Sequence, residues 1–325
     1  MSRGIMVKFS CKRIVWFVGL CSIALGAMPA AARDRTTANP YLVRVQACLD
    51  TLVTYGTDRY GTVHSPMLVS ILDVASRNCP EHPEALDEYF RVTRRGRRNP
   101  AGSNLLADQP LLKTMYSVSS LSGSKKYADA AVRYSEYVMK HHVDEKGFFW
   151  WGLHRHYDVY RDVQDGHNGN HHEIQAMTSI GWDALWAINP PAVQKEIEAI
   201  WQWHVIDKQS GEINRHGDGK PGCDFSMSAG AYIEAFCFMY NKTQNVLWLE
   251  RAKLLANYYW NRRDKNSNCL PERPNAGRNR FDGASFTTAV TGLYCHSLLK
   301  AFERTGETLL DRKSTRLNSS HGKLS

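Results

Sequence analysis

The first 32 residues contain no aspartate or glutamate, and none of the eight cysteines belongs to a Cys-x-x-Cys pair. The missing acids accompany Lys12 and Arg13, the apolar run Ile14–Ala27 and the small residues Ala30-Ala31-Ala32. Together these read as the three regions of a secretory signal peptide spanning residues 1–32. The apolar run is too short for a stable membrane span, and Leu20 is too large for a lipoprotein site at Cys21. We therefore expect cleavage after Ala32 and a protein exported to the periplasm or beyond, with no stable membrane insertion. Lack of Cys-x-x-Cys removes the paired-cysteine zinc and redox motifs. Cys48, Cys79, Cys223, Cys237, Cys269 and Cys295 remain after cleavage, and their even number leaves disulfides and free thiols equally open.

Excess charge is also missing once the ends are set aside. The segment Lys313–Ser325 resembles a translated sequencing adapter and is excluded from fold reasoning as a non-native tail. Without Arg3, Lys8, Lys12, Arg13, Lys313, Arg316 and Lys323, 34 basic residues face 32 acidic ones. The basic isoelectric point is thus no argument for nucleic acid or membrane partners.

Strand signals are few, with one candidate at Gly147–Trp151. Elsewhere the apolar spacing is helical, predicting helices at Tyr41–Tyr55, Leu105–Ser122, Lys125–His142, His172–Ile188, Ala192–Asp207, Phe225–Tyr240, Val246–Arg263 and Ser285–Arg304. Short polar junctions near Ser122–Lys126, Asn241–Asn245 and Thr305–Glu307 join helices into hairpins. Hairpins at intervals of about sixty residues signal stacked helical repeats. The expected fold is all-α, an (α/α)n toroid of about six or seven hairpins, with residues 33–312 as one catalytic domain. By this count the last repeat is cut short, leaving the toroid incomplete and the apolar face of Ser285–Arg304 partly uncovered.

What the chain does have is histidine in one place. His154, His156, His167, His171 and His172 fall within twenty residues, together with Asp158 and Glu173, and Asn214-Arg215-His216-Gly217 follows. Imidazoles and carboxylates gathered this way suit a coordination shell for a divalent cation, Mn, Ni, Fe or Zn. The chosen ligands are His154, Glu173 and His216. His156, His171 and His172 are substitutes or supporting partners. Phe149, Trp150, Trp151, Tyr157 and Tyr160 could stack on sugar rings. Lys220, Arg273, Arg278 and Arg280 are loop cations suited to acidic groups.

Trp151-Gly-Leu-His154, His172-Glu173-Ile174 and Asn214-Arg215-His216-Gly217 resemble motifs of the family-two polysaccharide lyases. These are periplasmic pectate lyases with an α/α barrel that cleave polygalacturonate by β-elimination. The likeness covers roughly residues 102–222, with a weaker echo in Asp58-Arg-Tyr-Gly61 and His64-Ser-Pro66. It implies an acidic polysaccharide or oligosaccharide substrate, metal held by His154, Glu173 and His216, and Arg215 as the Brønsted base. A guanidinium holds its proton to above about pH 12, so Arg215 could instead clamp a carboxylate. His172, His171 or a lysine beyond Arg312 would then take the proton. By the same reading His172 joins Arg215 as a catalytic candidate, and Trp150, Trp151, Tyr157, His156, His171 and Lys220 bind substrate.

Two other readings stay open. An α/α-barrel glycoside hydrolase needs two carboxyl groups across the bond, and Asp158, Asp162, Asp165, Glu173, Asp218 and Asp224 are available. A non-catalytic sugar-binding toroid would keep the cleft and tolerate loss of Arg215.

Overall fold

The sequence's polar junctions turn out to be places where one helix folds back on the next. A computed structural model describes residues 39–81, 101–166, 168–271 and 288–319. The signal-peptide segment, His167, and the loop cations Arg273, Arg278 and Arg280 lie outside the described residues.

Helix α1 spans Pro40–Tyr55. After a two-residue strand β1 (Gly102–Ser103) come α2 (Gln109–Ser122) and α3 (Lys126–His141). Gly123, at φ 75°, closes α2 in the left-handed conformation that glycine adopts without strain. Helix α3 buries Tyr127, Ala131, Tyr134, Ser135 and Val138, one face at helical spacing, against α2. Three strands of the same region form an antiparallel sheet in the order β1-β2-β3, where β2 is Arg155–Asp158 and β3 is Val163–Gly166.

Helices α4 (Trp182–Ile188) and α5 (Pro190–Ala199) meet at Asn189, whose side chain accepts from the Ala192 amide at 3.1 Å. A five-residue π turn, Ile200–His204, ends α5 and leads into the hairpin β4 (Val205–Asp207) and β5 (Glu212–Ile213). Next come α6 (Ser226–Thr243) and α7 (Val246–Arg262), then α8 (Thr288–Thr305) and α9 (Thr308–Ser319). Helix α6 is central: it packs against α5, α7 and α8 and buries residues on every face, including Tyr232, Phe236, Cys237 and Phe238.

Several sequence expectations need correction. The predicted helix His172–Ile188 starts only at Trp182. Residues 171–175 run outside regular structure, because their backbone groups are used elsewhere: Leu153 N donates to Glu173 O, and Ala176 N to Met227 O. The helix expected to reach Asp207 ends in the π turn and a strand. The Gly147–Trp151 strand reduces to a single bridge, Val143 with Phe149. The apolar face of α8 is covered: Tyr294, Leu298 and Ala301 are buried where α8 packs on α6 and α9. Helix α9 runs into the segment set aside as a tail, and Ser314 Oγ donates to Cys295 O at 3.1 Å. The six cysteines among the described residues are free thiols. Among the described residues no helix is long and apolar enough to cross a membrane.

Candidate functional site

Three loops converge on one carboxylate oxygen. His154 precedes β2, Glu173 lies on the segment leading to α4, and His216 follows β5. His154 Nε2 is 2.7 Å from Glu173 Oε2, His216 Nε2 is 3.4 Å from it, and Arg215 Nε is 3.8 Å away. One ligand atom from each of His154, Glu173 and His216 lies within 4.8 Å of the others.

Each loop is fixed by backbone chemistry. Asn104 donates to Gly152 O and Arg155 O, at 2.8 and 2.9 Å, so one buried amide spans the His154 loop. Arg155 donates to Asn170 O and to Asp144, at 2.7 and 2.8 Å, tying that loop to the residues before Glu173. Gly152 has φ 126°, and a Cβ there would sit 2.9 Å from Glu173 O, so only glycine allows this approach. Asn214 organises the His216 loop: its Oδ1 accepts from His216 N and Cys223 N, and its Nδ2 donates to Asp218 and to Lys220 O.

Glu173 is almost completely buried. Burial by itself would raise its carboxyl, but the hydrogen bond to His154, the nearby His216 ring and the Arg215 charge outweigh it and hold Glu173 well below the usual carboxylate range. Gln175 Nε2 donates to the other oxygen, Oε1, leaving Oε2 facing the two imidazoles. His216 Nε2 and Arg215 Nε are buried and have no hydrogen-bond partner. Buried polar atoms are nearly always satisfied, so an anionic oxygen beside the orphaned His216 imidazole nitrogen fits a cation between them, with the Arg215 N–H left to meet an anion. The donor set suits a divalent transition ion with positions left open.

Beneath this cluster runs a sealed chain of polar groups that the sequence did not reveal. Glu196 Oε1 lies 3.0 Å from His172 Nε2, His172 Nδ1 is 2.8 Å from His204 Nε2, and His204 Nδ1 is 2.8 Å from Asn214 O. The direction of every proton follows from its last member. A peptide carbonyl only accepts, so His204 Nδ1 donates to it and His204 Nε2 must accept from His172 Nδ1. His172 Nε2 then accepts from a protonated Glu196, whose Oε1 in turn accepts the Trp151 indole N–H at 2.8 Å. Burial pushes Glu196 up to about 8 and drives His172 and His204 well below the ordinary imidazole value, which agrees with that neutral chain.

This changes the roles of several expected residues. His172 is enclosed with both ring nitrogens engaged, so it supports the cluster instead of facing a substrate. Trp151 and Phe149 are fully buried and Trp151 donates to Glu196, so neither is a sugar platform. Tyr157 is also buried, packed on His142. Trp150 is partly exposed, but its indole N–H bonds His156 O and Asp165 O. His171 is half-buried and stacks on His216 with ring centroids 4.5 Å apart. Lys220 is exposed on the His216 loop. His156 joins a different cluster, with Asp158 and Asp165. The echo at Asp58 forms a local turn in which its carboxylate accepts from Ser65 and Tyr60. Glu196, one of several polar residues on α5, carried no sequence signal; His204 carried a faint one, and Asn214 was part of the His216 motif.

A pectate disaccharide-lyase of Dickeya dadantii (strain 3937) is 30% identical over 119 residues, covering 36% of this chain but only 22% of that protein's length. The cellobiose 2-epimerase of Bacillus thermoamylovorans B4167 superposes with a TM-score of 0.53 at 12% identity, over 86% of this chain and 70% of that one. At that identity the likeness concerns the helical-barrel fold alone. Residues 88–264, a span holding His154, Glu173, Arg215 and His216, match the family model described as periplasmic pectate lyase. This chain belongs to the periplasmic pectate lyase family.

Proposed function

We propose that the protein is an exported, metal-dependent lyase that cleaves pectate or oligogalacturonides by β-elimination. The observation that carries this reading is the convergence of His154, Glu173 and His216 within 4.8 Å beside the Arg215 guanidinium. His154, Glu173 and His216 would hold the divalent cation, which when bound withdraws charge from the uronate C6 carboxylate and so favours loss of the C5 proton.

The chain's own residues do the rest. Glu173, fixed by Gln175 and the two histidines, supplies a formal negative charge at a buried point. Arg215 is one-third exposed, and its Nε, 3.8 Å from Glu173, makes no hydrogen bond. It is therefore assigned to the reacting end of the uronate, where it either takes the C5 proton or grips the carboxylate. Lys220, on the same loop, offers a charge to a neighbouring uronate. His172 and His204 keep the floor of the site neutral and rigid.

The carboxyl groups weighed for hydrolysis are engaged in holding backbone or buried hydroxyls. Asp162 accepts from the amides of Thr62 and Val63, Asp218 from Lys220 N, and Asp224 from Tyr258 Oη. Asp158 and Asp165 likewise hold amides of the β2–β3 hairpin, and Glu173 is enclosed by His154 and Gln175, so among the described residues these carboxyl groups support elimination over two-carboxyl hydrolysis.

The test is direct. Incubating the protein with polygalacturonate and Mn²⁺ should yield a product with a C4–C5 double bond, read by its ultraviolet absorbance. Arg215→Ala should abolish it. Arg215→Lys separates the two roles: a shifted pH profile marks proton transfer, whereas a raised KM with kcat kept marks a carboxylate clamp. Absence of unsaturated product from every uronate polymer tried would end the proposal.

A further inference from the structure

A second group of metal-ligating side chains sits on the β2–β3 hairpin, apart from the His154 cluster. Strand geometry creates it. His156 and Asp158 are two residues apart on β2 and so share a face, while Asp165 is the direct cross-strand partner of His156. One ligand atom from each of the three lies within 4.8 Å of the others. His156 is 7% exposed, and neither ring nitrogen has a hydrogen-bond partner. An imidazole always carries at least one N–H, and a neutral one also carries a lone pair, so a buried ring with neither satisfied points to a missing ligand.

The neighbouring contacts identify the ligand's charge. Asp158 Oδ1 accepts from the amides of Tyr160 and Arg161, and Asp165 Oδ1 accepts from Gly166 N. Arg161 Nη1 is 2.6 Å from Asp165 Oδ2 and 4.0 Å from Asp158 Oδ2. That guanidinium is 63% exposed at the side chain, so a cation now rests at the mouth on a flexible stem. The Trp150 indole N–H bonds both His156 O and Asp165 O, which locks the register that brings the ligands together.

We propose that His156, Asp158 and Asp165 form a second divalent-cation site, of the Zn²⁺ class, that clips the β2–β3 hairpin. One imidazole and two carboxylates form a donor set that Zn²⁺ accepts. Arg161 acts as the competing cation that a bound metal displaces. The site does not depend on the lyase reading, since no residue is shared with the His154 cluster.

Zn²⁺ titration calorimetry and metal analysis on the untagged full chain test this. In a His154→Ala/His216→Ala variant, about one Zn²⁺ per chain should still bind. Asp165→Asn or His156→Gln added to that background should remove it. Arg161→Gln should bind Zn²⁺ severalfold more tightly; because Arg161 is exposed and the expected change is a gain, misfolding does not imitate it. The site is refuted if the double variant binds no Zn²⁺, or if Arg161→Gln leaves the affinity unchanged or weaker.

Discussion

His172 Nδ1 lies 2.8 Å from His204 Nε2, two imidazoles with almost no solvent contact, their proton direction dictated by the Asn214 carbonyl at one end. At the other end burial pushes Glu196 up to about 8, above its ordinary value of 4.5. Between those values the unfolded chain holds fewer protons than the folded one, so stability falls as pH rises. His172 and His204, shifted down from 6.5, oppose this only below that pH. From pH 6.5 to 8 these two imidazoles no longer oppose the Glu196 effect, whose slope is at most ~1.4 kcal/mol per pH unit. Thermal melts of Glu196→Gln should be flatter than wild type in that window; equal slopes would count against the neutral chain.

Gly152→Ala should destabilise the fold by about 1–3 kcal/mol, the scale of a residue forced into a sparsely populated backbone region. The added Cβ meets Glu173 O at 2.9 Å, so the His154 loop must move away from Glu173. A denaturant titration gives the stability change, and metal affinity should fall in the same variant.

Dialysis against a chelator should abolish unsaturated-product formation, and Mn²⁺ should restore it. His216→Ala, which removes one proposed ligand, should lower activity by roughly 100-fold or more and resist rescue at ordinary metal concentrations. Its folded structure, read by circular dichroism, should persist, because His216 is only partly buried.

Arg155→Met should cost about 3–5 kcal/mol, because it leaves Asp144 without its buried partner at 2.8 Å. Adding Asp144→Asn should recover part of the loss. A double-mutant cycle on melting measurements provides the coupling energy.

Some of this architecture was legible without coordinates and some was not. Helices α1, α2, α3, α6, α7 and α8 could be read because their apolar residues repeat at helical spacing, and polar junctions mark their ends. Residues 171–181 misled because Ile174, Met177 and Ile180 mimic that spacing, although their neighbours' amides pair with other segments. The β2–β3 hairpin was missed because Arg155-His156-Tyr157-Asp158 shows none of the alternation of apolar and polar residues that marks a half-buried strand. Both faces of β2 are covered, so its polar side chains meet buried partners or a cluster instead of water.

The residues able to make a cation site could be picked out from the chain alone, since His154, Glu173 and His216 are chemically conspicuous and close in sequence to glycines and aromatics. How the neighbouring histidines are placed emerged only in three dimensions. His171 and His172 are adjacent, yet one stacks on His216 and the other is sealed against Glu196 and His204. Consecutive side chains on an extended segment point to opposite sides, and only the packed surroundings determine which side is the cleft and which the core.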